Sequence, residues 1–170
     1  DLSISEFNNI NLDRLSDASV EGIAKFIASF YKKYILRSDI QLYKDIKDLF
    51  YPKLSTNHFI AVRQSNPNLN DPDKFIMKVI QSFDDYILKS DKSLFFEVKN
   101  KLKPDIPVHV FSKTVKQTST RNTDKIALYI MKSNANYVLR SRIGKISKLV
   151  YPSPEIDDIV KIHQENANES

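Results

Sequence analysis

Glycine scarcity is the feature that most restricts how this chain can fold. Only two glycines, Gly22 and Gly144, occur among its 170 residues, whereas the usual share is about 7%. Tight hairpin turns, glycine-rich phosphate loops and dinucleotide-binding fingerprints depend on glycine, because glycine adopts positive φ angles without strain. The sequence therefore predicts helices joined by loops rich in Pro, Asn and Ser.

Apolar residues recur at helical spacing along most of the chain. In residues 19–36, five of them are separated by three or four positions: Val20, Ile23, Ile27, Phe30 and Tyr34. Such spacing places side chains on one face of an α-helix. Comparable patterns follow at 39–51, 55–62, 72–87, 90–102, 123–132, 137–150 and 154–164. We therefore predict an all-α fold, a compact bundle of about seven short helices.

Residues 103–122 break this rhythm. The alternation of Ile106, Val108 and Val110 predicts a short extended segment near 106–111. The polar tract that follows, with Ser, Thr and Lys but no period, predicts a basic mobile loop over 113–122. The sequence pattern predicts no internal repeat of fixed period.

The loop around residues 65–72 is the strongest candidate for a boundary, because Pro and Asn dominate it. We expect either a single helical domain over 1–170 or two lobes, 1–65 and 73–166, joined by this loop. Asp71 before Pro72 matches a helix cap followed by proline at the first helical position. Since the chain starts at Asp1 and not at Met, we expect it to be either a domain or a processed product of a longer protein.

Composition restricts the chemistry further. Cysteine is absent, which excludes disulfides, thiolate zinc sites and cysteine nucleophiles and favours an intracellular location, cytoplasmic or nuclear. No run of about 18 apolar residues is present, so we expect no membrane partner. No cofactor is predicted.

Candidate catalytic and metal-binding groups do not form recognisable motifs. The three histidines are isolated, and the paired carboxylates are helix neighbours whose side chains point about 100° apart. These residues are His58, His109, His163, Asp84, Asp85, Asp157 and Asp158. We therefore predict no catalytic residue and no metal site, and favour a binding protein over an enzyme. An enzyme would need carboxylates from different helices that meet around one cleft.

Positive charge is concentrated in one region. Residues 1–100 carry 14 Lys/Arg and 14 Asp/Glu, residues 101–150 carry 11 and 2, and residues 151–170 carry 1 and 5. A basic surface of this kind binds phosphates by releasing counterions. The segments 123–132 and 136–150, joined by a polar turn, also have the order of a helix-turn-helix.

The segment 139–150 separates into two faces at helical spacing. Its apolar side is Leu139, Ile143, Ile146 and Val150, and the opposite side holds Arg142, Lys145 and Lys148.

From this pattern we predict a non-enzymatic domain that contacts the phosphate backbone of nucleic acid through residues 113–148. The residues expected to bind nucleic acid are Lys113, Lys116, Arg121, Lys125, Asn136, Arg140, Arg142, Lys145 and Lys148. Two alternatives stay open: a merely solvated basic face, and a protein-interaction or scaffold domain that docks an acidic partner in a groove between helices.

Residues 138–150, VLRSRIGKISKLV, resemble a helix in the N-terminal domain of transcription elongation factor S-II. The shared features are a Leu, a Ser/Thr, the Ile143-Gly144-Lys145 triplet with its flanks offset by one residue, and a later Leu. The resemblance covers about a dozen of the 170 residues. It implies protein docking, the alternative to nucleic-acid binding.

Overall fold

A computed structural model describes residues 3–8 and 18–169 of the chain. This part contains ten α-helices and four strands of two residues each. The all-α prediction is confirmed, with more helices than the seven expected. Every helix in the described residues is too short or too polar to cross a lipid bilayer.

The chain divides into two compact units, residues 1–83 and 84–170. The described elements of the first unit are α1 (Ile4–Asn8), α2 (Val20–Tyr31), α3 (Ile40–Ile46), β1 (Phe50–Tyr51), α4 (Thr56–Ser65) and α5 (Pro72–Ser82). Those of the second are β2 (Ile87–Leu88), α6 (Lys92–Lys99), β3 (Leu102–Lys103), α7 (Val108–Thr118), α8 (Thr123–Ser133), β4 (Val138–Leu139), α9 (Arg140–Ser147) and α10 (Ile156–Glu169).

Polar caps set the beginnings of four helices. The side chains of Ser19, Ser55, Asp71 and Asn122 each accept a hydrogen bond from a backbone N–H of the first helical turn. These groups have no partner within the helix, so the cap stabilises each helix by roughly 1 kcal/mol.

The division at residue 83 leaves the loop 65–72 inside the first unit. The helices on either side of this loop, α4 and α5, pack against each other. Arg63 holds the loop in place by donating hydrogen bonds to the carbonyl oxygens of Asn66, Pro67 and Leu69.

The predicted extended segment at 106–111 and the predicted loop at 113–122 are corrected by α7. Residues 108–118 form one helix, and only 119–122 remain as a connection between α7 and α8. The β-branched residues that suggested a strand lower helix propensity only slightly. Burial of Phe111, Ser112 and Thr114 on one side of α7 outweighs this preference.

Two predicted helices are shorter than expected. Leu139 lies in strand β4, so the helix predicted from residue 137 begins only at Arg140. A strand therefore separates α8 from α9, unlike the direct turn of the predicted helix-turn-helix. Helix α2 ends at Tyr31, although the spacing predicted a helix up to residue 36. Two of its residues, Val20 and Phe30, are exposed, although the same spacing predicted that they face inward.

The described elements show an internal repeat, so the expectation of a non-repetitive chain is wrong. A Tyr-(Ile/Val)-Leu-(Arg/Lys)-Ser motif begins at Tyr34, Tyr86 and Tyr137, at intervals of 52 and 51 residues. A proline preceded by a cis peptide bond follows each motif, at Pro52, Pro104 and Pro152.

Each repeat has the same order of elements. The Tyr-x-Leu segment leads into a first helix, and the cis-proline separates it from a second helix. In repeats 1 and 2 a third helix follows, so that repeat 1 contains α3, α4 and α5 and repeat 2 contains α6, α7 and α8. The described part of repeat 3 contains α9 and α10. A period of about 50 residues lies at the upper end of the range found in repeat proteins.

Equivalent aromatic contacts join the first and second helices. In repeat 1 the rings of Tyr43 and Phe59 lie 5.1 Å apart, and in repeat 2 the rings of Phe95 and Phe111 lie 5.4 Å apart. Both pairs occupy the same two repeat positions. The third helix then packs on both others: α5 contacts α3 and α4, and α8 contacts α6 and α7.

The junction between repeats 2 and 3 is a short antiparallel ladder. Leu102 pairs with Leu139, and Lys103 pairs with Val138. The backbone N–H of Arg140 also donates to the carbonyl oxygen of Lys101 at 2.9 Å. The strand before one cis-proline thus receives the Tyr-x-Leu strand of the next repeat.

Candidate interaction site at the C-terminal helix pair

The predicted nucleic-acid contacts are distributed over three helices and their connections. Lys113 and Lys116 lie on α7, Arg121 follows α7, and Lys125 lies on α8. The remaining five lie in or near α9: Asn136, Arg140, Arg142, Lys145 and Lys148.

Three of the eight predicted cations pair with carboxylates of the same unit. Lys116 Nζ lies 2.9 Å from Asp84. Arg140 lies 3.5 Å from Asp105 and also donates to the carbonyl oxygen of Leu102 at 3.3 Å.

The third pair joins Arg121 and Asp91. Asp84 and Asp91 precede the basic segment in sequence, so counting charges along the chain does not detect this neutralisation. Residues 84–170 carry 15 Lys/Arg and 11 Asp/Glu, a smaller excess than that of residues 101–150.

Five predicted cations are exposed, and within the described residues none of them has an ion pair: Lys113, Lys125, Arg142, Lys145 and Lys148. Asn136 has its backbone engaged, because its N–H donates to Asn134 and its carbonyl oxygen accepts from Gln164. The α9 cations thus remain accessible, whereas those beside α6 and α7 are partly neutralised.

A largely apolar groove of about 450 Å³ lies beside these cations, between α9 and α10. Arg142, Asp158 and His163 supply charged or titratable groups at the groove. Its apolar lining comprises Val138, Ile146, Val150, Pro154, Ile159 and Ile162.

A small core supports the groove from below. Val138, Ile143, Ile159 and Val160 form a buried cluster, and the half-buried Ile146 packs against it. Because one buried cluster joins β4, α9 and α10, the groove has a packed floor. Just before β4, burial raises the pKa of the Tyr137 hydroxyl.

The repeat explains why this groove is open. Ile162 is 58% exposed, whereas the residues at its position in repeats 1 and 2, Val62 and Thr114, are 3% and 5% exposed. In those repeats the third helix, α5 or α8, packs on the second helix that carries the buried residue. Repeat 3 has no third helix in the described residues, and its groove lies where that helix packs in the others.

The strand position of repeat 3 is equally uncovered. Val150 precedes Tyr151-Pro152 as Phe50 and Leu102 precede the other cis-prolines, and it is 52% exposed where they are 2% and 0%. Its neighbours Leu149 and Tyr151 are also exposed. Apolar residues clustered on a surface in this way mark an interaction site more often than scattered ones do.

Comparisons with protein-family models, with curated protein sequences and with solved structures find no match. The resemblance of residues 138–150 to transcription elongation factor S-II therefore stays with those residues alone. Moreover, the Leu and Ser that contribute to it recur at Leu36, Ser38, Leu88 and Ser90, so they belong to the repeat.

The described residues contain no cluster of potential metal ligands. Within residues 3–8 and 18–169, no three His, Asp or Glu side chains gather closely enough to hold a metal ion. The candidate site therefore consists of an apolar groove beside the exposed cations of α9.

Proposed function

We propose that this protein is a repeat-built protein-interaction module that binds a helix of its partner in the groove between α9 and α10. The observation that carries the proposal is the exposure of Ile162 at a repeat position that is buried elsewhere. An amphipathic helix laid into an apolar groove is a recurrent mode of recognition.

The third helices of the repeats indicate what such a partner helix would look like. Each begins with a polar cap and carries a carboxylate in its first turn, Asp73 in α5 and Asp124 in α8. Four and eight residues after the cap, α5 has Phe75 and Val79 fully buried. A partner helix with an acidic first turn and this apolar spacing would complement both the groove and the cations of α9.

A peptide of residues 71–91 tests the proposal, because it contains α5, the third helix that packs on α3 and α4 in repeat 1, and the Tyr-x-Leu segment that follows it in sequence. Fluorescence polarisation of the labelled peptide should show saturable binding to the protein. Ile162→Asp should weaken binding about tenfold or more, since it places a charge on apolar lining.

Two controls accompany this measurement. Met77→Asp changes a similarly exposed apolar residue on α5 and should leave the affinity unchanged. The same peptide with Phe75 and Val79 replaced by Asp should not bind. Binding that ignores Ile162→Asp, or no binding at all, would remove the helix-in-groove proposal.

Nucleic-acid binding is the second candidate, favoured by the exposed cations of α9. Arg142, Lys145 and Lys148 have no ion pair in the described residues and could reach phosphates. Binding of a labelled DNA duplex should then weaken with salt, and replacing all three residues with Glu should abolish it at an unchanged thermal midpoint. Salt-independent binding would exclude this candidate.

A further inference from the structure

Helices α5 and α8, the third helices of repeats 1 and 2, both expose an apolar residue at the same repeat position. Met77 lies six residues after the cap Asp71, and Leu128 lies six residues after the cap Asn122. They are 53% and 40% exposed. We infer that α5 and α8 each bind an acidic segment of a partner protein, which packs one apolar side chain against Met77 or Leu128. These two surfaces share no residue with the groove between α9 and α10, so the inference does not depend on the proposed function.

Core packing does not explain why this position is apolar in both helices. The positions four and eight residues after each cap hold Phe75, Val79, Ile126 and Ile130, which are almost fully buried, so the core requires them to be apolar. An exposed position carries no such requirement, and apolar residues scattered singly on a surface are common. A scattered residue would not be expected at the same position in two repeats that share few identities. The recurrence therefore favours a binding surface.

Lysines lie beside the apolar residue on the same face of each helix. Residues three and four apart are neighbours on a helix surface, so the positions three, six, seven and ten after the cap form one face. On α5 and α8 these positions are all exposed, and they hold Lys74, Met77, Lys78 and Gln81, and Lys125, Leu128, Tyr129 and Lys132. Each helix therefore presents an apolar residue between basic ones.

The charge of these faces complements carboxylates of a partner. Within the described residues, four lysines on the two faces form no salt bridge: Lys74, Lys78, Lys125 and Lys132. The only carboxylates of the two helices in their first turns are Asp73 and Asp124. Asp124 is already paired with Lys101 at 2.7 Å. Both faces are thus left with an excess of positive charge, which attracts an acidic segment.

A depression beside each apolar residue provides room for a side chain of the partner. On α8 a pocket of about 350 Å³ is lined by Leu128 and Leu139, together with Arg140. On α5 a pocket of about 350 Å³ is lined by Met77 and Leu69, together with lysines of the same face. Each depression combines an apolar wall with basic side chains. An apolar anchor that enters a pocket, with polar contacts around it, is a common arrangement at protein interfaces.

The features common to the two faces favour a protein segment over a nucleic acid. Stacking of bases needs an aromatic ring, and the position of Tyr129 on α8 holds Lys78 on α5, so the ring is not common to both. What the faces share is a non-aromatic apolar side chain beside a depression, with lysines around it. An acidic segment with one apolar anchor uses all of these features, whereas phosphates would use only the lysines.

Helix α2 provides a comparison within the chain. Its cap Ser19 lies 15 residues before Tyr34, the same interval that separates the caps of α5 and α8 from the next Tyr-x-Leu segment. The position of Met77 and Leu128 is held by Lys25 in α2. Because an apolar anchor has no apolar residue to pack against there, α2 should not bind such a segment.

NMR titration of the isotope-labelled protein with two designed peptides tests the inference. One peptide has a central leucine with four acidic residues on each side, and the other has serine in place of the leucine. The leucine peptide should shift amide resonances of α5 and α8, and the serine peptide should bind at least about fivefold more weakly, because it lacks the apolar anchor. Leu128→Glu should remove the shifts in α8 and keep those in α5, and Met77→Glu should do the reverse.

Charge reversal provides a second readout that does not depend on apolar packing. Lys125→Glu combined with Lys132→Glu should weaken binding at α8 about tenfold. Lys25→Glu is the matched control, because it reverses an exposed lysine on α2, and it should leave the affinity unchanged. Ile162→Asp, in the groove between α9 and α10, should also leave both sites unchanged. If Leu128→Glu lowers the thermal midpoint, Leu128→Ser replaces it.

Several results would overturn the inference. Shifts confined to α9 and α10 would mean that the peptide binds in the groove, and shifts on only one of α5 and α8 would contradict the equivalence of the two faces. Equal binding of the serine peptide, or of a single-stranded DNA of the same net charge, would mean that the faces attract any polyanion. No shifts at low salt would mean that both faces are merely solvated.

Discussion

At the scale of single residues, Arg63 contacts several different groups within the described part of the first unit. It donates to the carbonyl oxygens of the loop after α4, forms an ion pair with Asp39 at 3.2 Å, and lies 5.4 Å from the Phe75 ring centroid. Both charged side chains are largely shielded from water. The planar guanidinium reaches several acceptors at once, which a lysine ammonium cannot do.

We predict that Arg63→Lys lowers the free energy of unfolding by about 2 kcal/mol and Arg63→Ala by about 3 kcal/mol or more, because Asp39 loses its partner in a shielded place. Urea denaturation measures both. Arg37→Lys, at an exposed site in the same unit, should change stability by less than about 0.5 kcal/mol. Equal effects at the two positions would contradict the role of Arg63.

Glu6 is the residue with a strongly shifted titration. Hydrogen bonds from Lys33 and Tyr34 lower the pKa of its carboxyl group from 4.5 to about 2. A lowered pKa means that the folded state favours the carboxylate, so the stabilising contribution of these side-chain contacts is fully present above pH 4.5 and is lost as the pH falls towards 2.

The expected outcome is a Glu6 titration midpoint near 2 in carbon-detected NMR. Lys33→Met removes the largest contribution and should move the midpoint back towards 4.5. A midpoint near 4.5 in the unmodified protein would show that α1 does not make these contacts.

At the scale of elements, sequence periodicity predicted most of the helices. It misplaced the end of α2 and the beginning of α9. The caps Ser55 and Asp71 were recognisable because short polar side chains before an apolar run have one common role. Helix α7 was missed because the alternation of Ile106, Val108 and Val110 resembles a strand and the polar residues after it resemble a loop. Only burial against the rest of repeat 2 decides otherwise. Tertiary packing is not visible in a local window.

The ion pairs of the candidate site could not be predicted from the sequence. Asp84 and Asp91 lie 32 and 30 residues from the cations they neutralise. The groove between α9 and α10 was also missed, because its openness becomes apparent only when Ile162 is compared with Val62. That comparison requires the repeat, whose copies share few identities beyond the Tyr-x-Leu motif.

Helix α9 contains one residue of low helix propensity. Gly144 lies within it, has no positive φ angle, and has no atom within 4 Å of where a Cβ would lie. A glycine inside a helix often marks a close approach of neighbouring backbone, and the structure shows no close neighbour here. Gly144→Ala should therefore raise the free energy of unfolding by about 0.5–1 kcal/mol, measured by urea denaturation.

A matched variant tests whether helix propensity is the cause. Gly144→Val should stabilise less than Gly144→Ala, because a β-branched side chain loses rotamer freedom in a helix. A loss of stability in Gly144→Ala would instead indicate that the helix needs the flexibility of glycine.

At the scale of the whole molecule, stability in a repeat array arises within each repeat and at its junctions with neighbours. Repeat 2 is complete, and its third helix buries Ile126, Ala127 and Ile130 almost fully. Repeat 3 lacks a third helix in the described residues, and its first helix α9 buries only Ile143. A repeat whose described helices bury less apolar surface should therefore open more often than one that buries more.

Amide hydrogen exchange measures this difference directly. We predict that amides in α8 exchange at least about tenfold more slowly than those in α9 and α10, since opening of the end repeat exposes less apolar surface. Uniform protection across α8, α9 and α10 would mean that the groove at the end of repeat 3 is as stable as a completed repeat, and the physical argument for a missing third helix would be lost.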